Sequence, residues 1–196
     1  MKICFVTGNR GKYIGAKAEL EEFDIQLEQV ALETPEPRSY DLREIAKDKA
    51  LFAYERVGEP LIVLDAGFYL NRWKDFPGPF TNHALHGLGI EGIMKLLEGE
   101  ERGCEFRNAL AYIDREHAGP VYFENKIPGT VPGTPRGGPH ERQWSELHTI
   151  FIPSGFEKTL AEMSDNEYAE YRRWRASKRP IFRQFGEWLT PEHNLY

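Results

Sequence analysis

Cysteine is nearly missing from this chain, with Cys4 and Cys104 the only two in 196 residues. Both lie in apolar, strand-like runs, so a disulfide framework or a cysteine metal centre is excluded and reduced core thiols are expected. No apolar run approaches the roughly 18 residues of a membrane span. The first such run, residues 3–6, is cut off at once by Thr7-Gly8-Asn9, where a secretory leader would continue. The expectation is a soluble, cytoplasmic protein with no membrane partner. Positive charge is in deficit, 25 Lys and Arg against 31 Asp and Glu, giving a formal charge of −6. That argues against an extended nucleic-acid surface, which is normally basic, and is compatible with a small phosphate substrate carried with Mg²⁺. Internal repeats and low-complexity segments are absent too. The 40% of hydrophobic residues suffices for a substantial core, and one domain over residues 1–196 is the default.

Periodicity gives a coarse map. Residues 2–7 read as a buried strand, 12–22 as a helix with Ile14, Ala18 and Leu20 inward, and 25–30 as a second strand. Pro35 and Pro37 make 32–38 a loop. Asp41 can cap a helix running to Val57, with Glu44 at its third position as in a capping box. Residues 61–70 form a strongly apolar strand interrupted by Asp65-Ala66-Gly67. A helical stretch over 83–97 should break at Gly87 or Gly89. Strands follow at 104–114 and 120–127, then a Pro/Gly-rich loop over 128–139, a short strand at 150–152, and closing helices at 165–176 and 180–189. Strands alternating with helices, then a paired-strand section, give a mixed α/β domain.

The segment Val6-Thr7-Gly8-Asn9-Arg10-Gly11-Lys12 is the densest chemical signal. A strand ending in Thr-Gly-Asn can turn backbone N–H groups and small polar side chains toward an anion, the next helix adds the positive end of its dipole, and Lys12 adds a full charge. The Walker pattern needs four residues between its first Gly and Gly-Lys; here only Asn9 and Arg10 intervene, so the ordinary P-loop and the dinucleotide GxGxxG are both excluded. Alone, the segment also reads as a plain β-turn-α connection. Asp65 is the second signal: it follows Leu61-Ile62-Val63-Leu64, where a charge is costly unless a metal or hydrogen bonds compensate it. The competing reading is a structural cap or turn aspartate. His83 and His86, at i and i+3, lack a third ligand at a telling spacing and read as a helical face.

Together VTGNRGK, LIVLDAGFYL, PGPF (77–80), TPRG (134–137) and TLAEM (159–163), in this order and spacing, resemble the non-canonical purine nucleoside triphosphate pyrophosphatases, the inosine triphosphatase or Ham1-like family, over most of the chain. The resemblance implies a long, strongly twisted mixed sheet flanked by helices, with two lobes and a cleft between them, and a homodimer. It implies Mg²⁺-dependent attack of water on the α-phosphorus of a nucleoside triphosphate, releasing pyrophosphate and the monophosphate. Asp65 matches the general base and a metal ligand, and Glu36 the glutamate that ligates Mg²⁺. Thr7, Gly8, Asn9 and Lys12 match the phosphate cradle, and Lys49 a substrate-binding lysine. Trp144 is the candidate stacking residue, and His148 stands where the family has an aspartate. Arg173 aligns with the arginine of Ser-His-Arg, with Arg172 in the histidine's place. The chain also departs from the pattern. Leu64 replaces the first acid, Ala66 a small hydroxyl residue, and Gly15 a helical glutamate for which Glu19 is the nearest substitute. Tyr168 and Asn82 replace lysines. The changes at His148, Arg172, Tyr168 and Asn82 concentrate on the nucleobase end and imply an altered base preference. Alternatives carried forward are a catalytically weak nucleotide-binding or regulatory protein, and a hydrolase of another modified nucleotide.

Overall fold

A computed structural model describes residues 1–140 and 143–191. Its elements run β1 (Lys2–Val6), α1 (Arg10–Leu20), β2 (Gln26–Val30), α2 (Leu42–Val57), β3 (Leu61–Leu70), β4 (Pro77–Gly78), α3 (Thr81–Lys95), β5 (Gly103–Ile113), β6 (Val121–Thr130), β7 (Ile152–Pro153), α4 (Asp165–Ser177) and α5 (Ile181–Leu189). Among the described residues the strands hydrogen-bond in the order β2-β1-β3-β5-β6-β7, with β4 beside β3. β1 runs parallel to β2 and β3, whereas β3–β4 and β6–β7 are antiparallel, so the sheet is mixed and helix-flanked as expected. The chain divides into two compact units.

Among the described residues the first unit holds 1–65, 108–125 and 175–191. Its core joins Ile3 and Phe5 of β1, Ala16 and Leu20 of α1, Leu27 of β2, Ile62 of β3, Leu110 and Tyr112 of β5, and Ile181, Phe182 and Phe185 of α5. In α1 the inward stripe is Tyr13, Ala16 and Leu20, spaced three and four residues apart, while Ile14 is 55% exposed and Ala18 is also exposed. Asp41 caps α2 by accepting from the Arg43 N–H. Glu44 does not close the capping box directly: its carboxylate accepts from the Ser39 hydroxyl, which in turn accepts from the Asp41 N–H. Gly58 ends α2 in the left-handed conformation, φ +69°, which glycine adopts without strain.

The second unit holds residues 66–107 and 126–174, with its own core of Phe68, Phe106, Leu147, Phe151, Met163 and Tyr171 among others. β3 passes through Asp65-Ala66-Gly67 without interruption, contrary to the sequence expectation, because β4 pairs with Phe68 and Tyr69 and keeps the chain extended. Gly67 is required there: a Cβ would stand 2.6 Å from the Gly78 carbonyl oxygen. The expected break in α3 falls at Gly89, whose φ of +63° is non-helical. The loop expected from 128 begins later, since Pro128, Gly129 and Thr130 belong to β6, and Gly129 and Thr130 pair with β7. β7 itself is Ile152–Pro153; Ile150 and Phe151 are buried outside it, Ile150 closing a 3₁₀ turn over Glu146–Thr149. Both cysteines are buried free thiols, and burial raises the pKa of each above the usual thiol value. No helix among the described residues is long and apolar enough to cross a membrane.

Candidate active site

The turn between β1 and α1 is shaped by its own polar side chains. Thr7 Oγ1 accepts from the Asn9 N–H at 3.1 Å and Asn9 Oδ1 accepts from the Lys12 N–H at 2.9 Å, which makes Asn9 the N-cap of α1. Those acceptors are spent inside the turn; the Thr7 hydroxyl proton and the Asn9 NH₂ group still have donor capacity to offer. Gly8 is exposed, and a Cβ there would meet nothing within 4 Å. No acidic residue sits in the first turn of α1, so the helix's own first turn does not neutralise the positive end of its dipole.

Asp65, Lys49 and Glu36 meet in the same unit. Lys49 Nζ lies 2.8 Å from Asp65 Oδ1 and 3.0 Å from Glu36 Oε1. The Lys49 and Asp65 side chains are 12% and 13% exposed, Glu36 73%. Two carboxylates from separate segments, the loop before α2 and the middle of β3, therefore converge on one cation carried by α2. Asp65 stands in the middle of an unbroken β3 rather than at the interruption read from the sequence. Burial alone would lower the Lys49 pKa, but the paired Asp65 and then Glu36 outweigh it and hold the ammonium above its ordinary value. Lys12 shifts the other way. Burial depresses it, the Asp65 charge opposes that shift, Lys49 adds to it, and Glu36 opposes it more weakly. A half-buried lysine with a depressed pKa is one whose ammonium gains from an added anion.

The donor set suits a hard divalent cation. Oxygen ligands converging on one cationic point, few enough to require phosphates and waters to complete the shell, are what Mg²⁺ takes. Among the described residues no group of three or more His, Cys, Asp and Glu stands together; Glu36 and Asp65 are the two carboxylates that meet at this point.

In the second unit, Trp144 packs edge-on against Phe106 at 5.3 Å and against His148 at 5.1 Å. His148 is 1% exposed in the 3₁₀ turn, and its carbonyl accepts from the Ala161 N–H. Arg172 and Arg173 lie exposed on α4. Tyr168 is partly buried against the second core. Two of the five family-like motifs dock on each other here. Thr159 and Glu162 cap one another, Glu162 pairs with Arg136 at 3.3 Å, and Gly137 at φ +82° lies flat on the Ala161–Glu162 backbone, where a Cβ would come within 2.5 Å. In the first unit Glu19, the nearest substitute for the acid missing at Gly15, pairs with Arg175 at 3.5 Å. His83 and His86 are exposed on α3.

One contact at the cradle escaped the sequence reading: Gln29 Nε2 donates to the Thr7 carbonyl at 2.9 Å. The signal was present, since Ile25 and Leu27 are buried at alternate positions and Gln29 is polar at the next one.

The Ham1 family model matches residues 3–179. Curated relatives include the dITP/XTP pyrophosphatase of Methanopyrus kandleri, 38% identical over 96% of both chains. That of Saccharolobus solfataricus is 37% identical over 96% of this chain and 94% of its own. Among solved structures, the Staphylococcus aureus Ham1 protein superposes with a TM-score of 0.76 at 17% identity, covering 98% of this chain and 100% of that one. The nucleoside-triphosphatase / dITP/XTP pyrophosphatase of Mycobacterium abscessus gives 0.67 at 23% identity, over 91% and 97%.

Proposed function

Because the chain belongs to the Ham1 family, we propose that it is a nucleoside triphosphate pyrophosphatase acting on non-canonical purine nucleoside triphosphates, the dITP/XTP class named for its relatives. The observation that carries this reading is the meeting of Glu36, Lys49 and Asp65, with Lys12 within range of their charges. Thr7, Gly8, Asn9 and Lys12 cradle the phosphates, and Lys49 neutralises phosphate charge while holding Asp65 in place. Asp65 orients the attacking water and accepts its proton. The water oxygen then bonds to the α-phosphorus, and the bond from that phosphorus to the bridging oxygen breaks, so pyrophosphate leaves and the monophosphate remains. Glu36 and Asp65 are the residues that would hold Mg²⁺, which when bound supplies charge neutralisation on the phosphates and polarises the phosphoryl group. The family resemblance assigns base recognition to Trp144, His148, Arg172 and Arg173, and their departures from the family pattern set the preference among purines.

The whole chain functions as one pyrophosphatase domain, acting as a homodimer in the cytoplasm without a nucleic-acid or membrane partner. A panel of common and deaminated nucleoside triphosphates with Mg²⁺, scored separately for pyrophosphate and monophosphate, tests the reading. Equimolar monophosphate and pyrophosphate from deaminated purines supports it; orthophosphate release, or no turnover of any member, rejects it.

A further inference from the structure

Gln29 does something that its place in β2 does not require. The inward positions Ile25 and Leu27 are each 5% exposed, and the next inward position on this edge strand carries an amide instead of an apolar side chain. That amide donates to the Thr7 carbonyl at 2.9 Å, and the Thr7 N–H donates to the Val30 carbonyl at 3.1 Å. Thr7 is thus pinned on both sides to the last two residues of β2. A trans peptide is planar, with its carbonyl and the following N–H pointing in opposite directions. Anchoring the Thr7 carbonyl on β2 therefore aims the Gly8 N–H away from β2. Gly8 is exposed, and its N–H has no hydrogen-bond partner among the described residues. The neighbouring donors are different: the Asn9 N–H is taken by Thr7 Oγ1 and the Lys12 N–H by Asn9 Oδ1.

We propose that Gln29 is a positioning residue for the phosphate site, holding the Thr7–Gly8 peptide so that the Gly8 N–H donates to a phosphoryl oxygen. This rests on the phosphate-cradle reading above. Gln29 touches no substrate itself; it acts through the peptide it holds. An apolar side chain without a donor leaves that peptide free to rotate, so the cost falls on phosphate affinity. A carboxylate in its place faces the Thr7 carbonyl with no proton to share, and recovers the contact only when protonated.

The test uses the full chain with Mg²⁺ and inorganic tripolyphosphate as the probe, followed by calorimetry, together with steady-state kinetics on a triphosphate that the protein hydrolyses. Gln29→Leu is expected to bind tripolyphosphate about tenfold or more weakly, with KM raised and kcat within about threefold of wild type. Gln29→Glu is expected to be weak at pH 8, and the ratio of its affinity to that of wild type should rise as the pH falls toward 5, because the protonated acid can donate to the Thr7 carbonyl. Gln29→Glu keeps the length and shape of the side chain and decides the matter if Gln29→Leu does not fold. Wild-type affinity in Gln29→Leu, or a pH-independent ratio for Gln29→Glu, overturns the proposal. Equal binding by wild type and Lys12→Ala, or no binding by wild type, would instead remove the cradle reading on which it rests, and the proposal with it.

Discussion

Lys49 Nζ stands 2.8 Å from Asp65 Oδ1, with both side chains close to nine-tenths buried. A lysine in that position fixes the orientation of a strand carboxylate, and the same ammonium reaches Glu36 at 3.0 Å. In the proposed reaction this places a base for water beside a clamp for phosphate charge, which is what hydrolysis of a phosphoanhydride needs.

Replacing Asp65 by Asn keeps shape and size but removes the proton acceptor. Turnover is expected to fall by about 10²- to 10⁴-fold, with the thermal unfolding midpoint within a few degrees of wild type. Retention of most of the wild-type rate in a pyrophosphate-release assay would take Asp65 out of the chemistry.

Lys49→Met leaves Asp65 and Glu36 facing each other without a cation. Removing one partner of a buried pair costs about 3–5 kcal/mol when burial is complete; with Glu36 largely exposed, a loss of about 1–3 kcal/mol is expected. Millimolar Mg²⁺ should restore more stability to this variant than to wild type, because a divalent ion can take the place of the ammonium between the two carboxylates. Denaturant melts with and without Mg²⁺ measure this, and an equal Mg²⁺ effect in both proteins would mean that the two carboxylates do not bind metal together.

How much of this was legible in the sequence varied with how local the cause was. The Asp41 cap, the Gly89 break and the buried thiols follow from short stretches of chain and stand where they were read. Asp65 was recognisable as a charge in an apolar run, but its mid-strand position was not. What keeps residues 66–70 extended is β4, and the close approach of Gly67 to Gly78 is a tertiary event. Pro128 and Gly129 look like loop residues, yet both belong to β6 and Gly129 pairs with β7; Gly129 is small because a Cβ would run into the Phe151 ring. Ile14 looked inward by hydrophobicity, whereas packing selected the stripe of Tyr13, Ala16 and Leu20. The Lys49 contacts join residues 13 and 16 positions apart on separate elements, a pairing that no local pattern in the sequence gives.

Gly67→Ala puts a methyl group 2.6 Å from the Gly78 carbonyl oxygen and 2.8 Å from the Tyr69 ring. Backbone on one side and a packed aromatic ring on the other leave little room to give, so a loss of about 1–3 kcal/mol is expected. Because the strain falls two residues from Asp65, activity should drop along with stability. A variant as stable as wild type in urea would show that β3 and β4 separate easily.

Asp114 governs acid stability at the turn after β5. Burial would raise its pKa, but hydrogen bonds from the His117 and Tyr112 side chains and from the His117 and Glu116 N–H groups hold it down, to about 2. A carboxyl whose folded pKa lies below its unfolded value contributes stability above the unfolded pKa and loses it as pH falls through the folded one. The contribution, about 2 kcal/mol, is therefore full above pH ~5 and fades between pH ~4 and ~2. Asp114→Asn should be destabilised by that order at pH 7 and show a flatter acid limb. Parallel acid limbs for the two proteins would contradict the assignment.

Hydrolysis in ¹⁸O-labelled water tests the central claim most directly, because it reports which phosphorus the water attacks. With Mg²⁺ and a deaminated purine triphosphate, a single turnover is expected to place one ¹⁸O in the nucleoside monophosphate and none in the pyrophosphate, as resolved by mass spectrometry or ³¹P NMR. Label in pyrophosphate, or in orthophosphate released from the γ position, would contradict attack at the α-phosphorus and with it the role given to the Asp65–Lys49 pair.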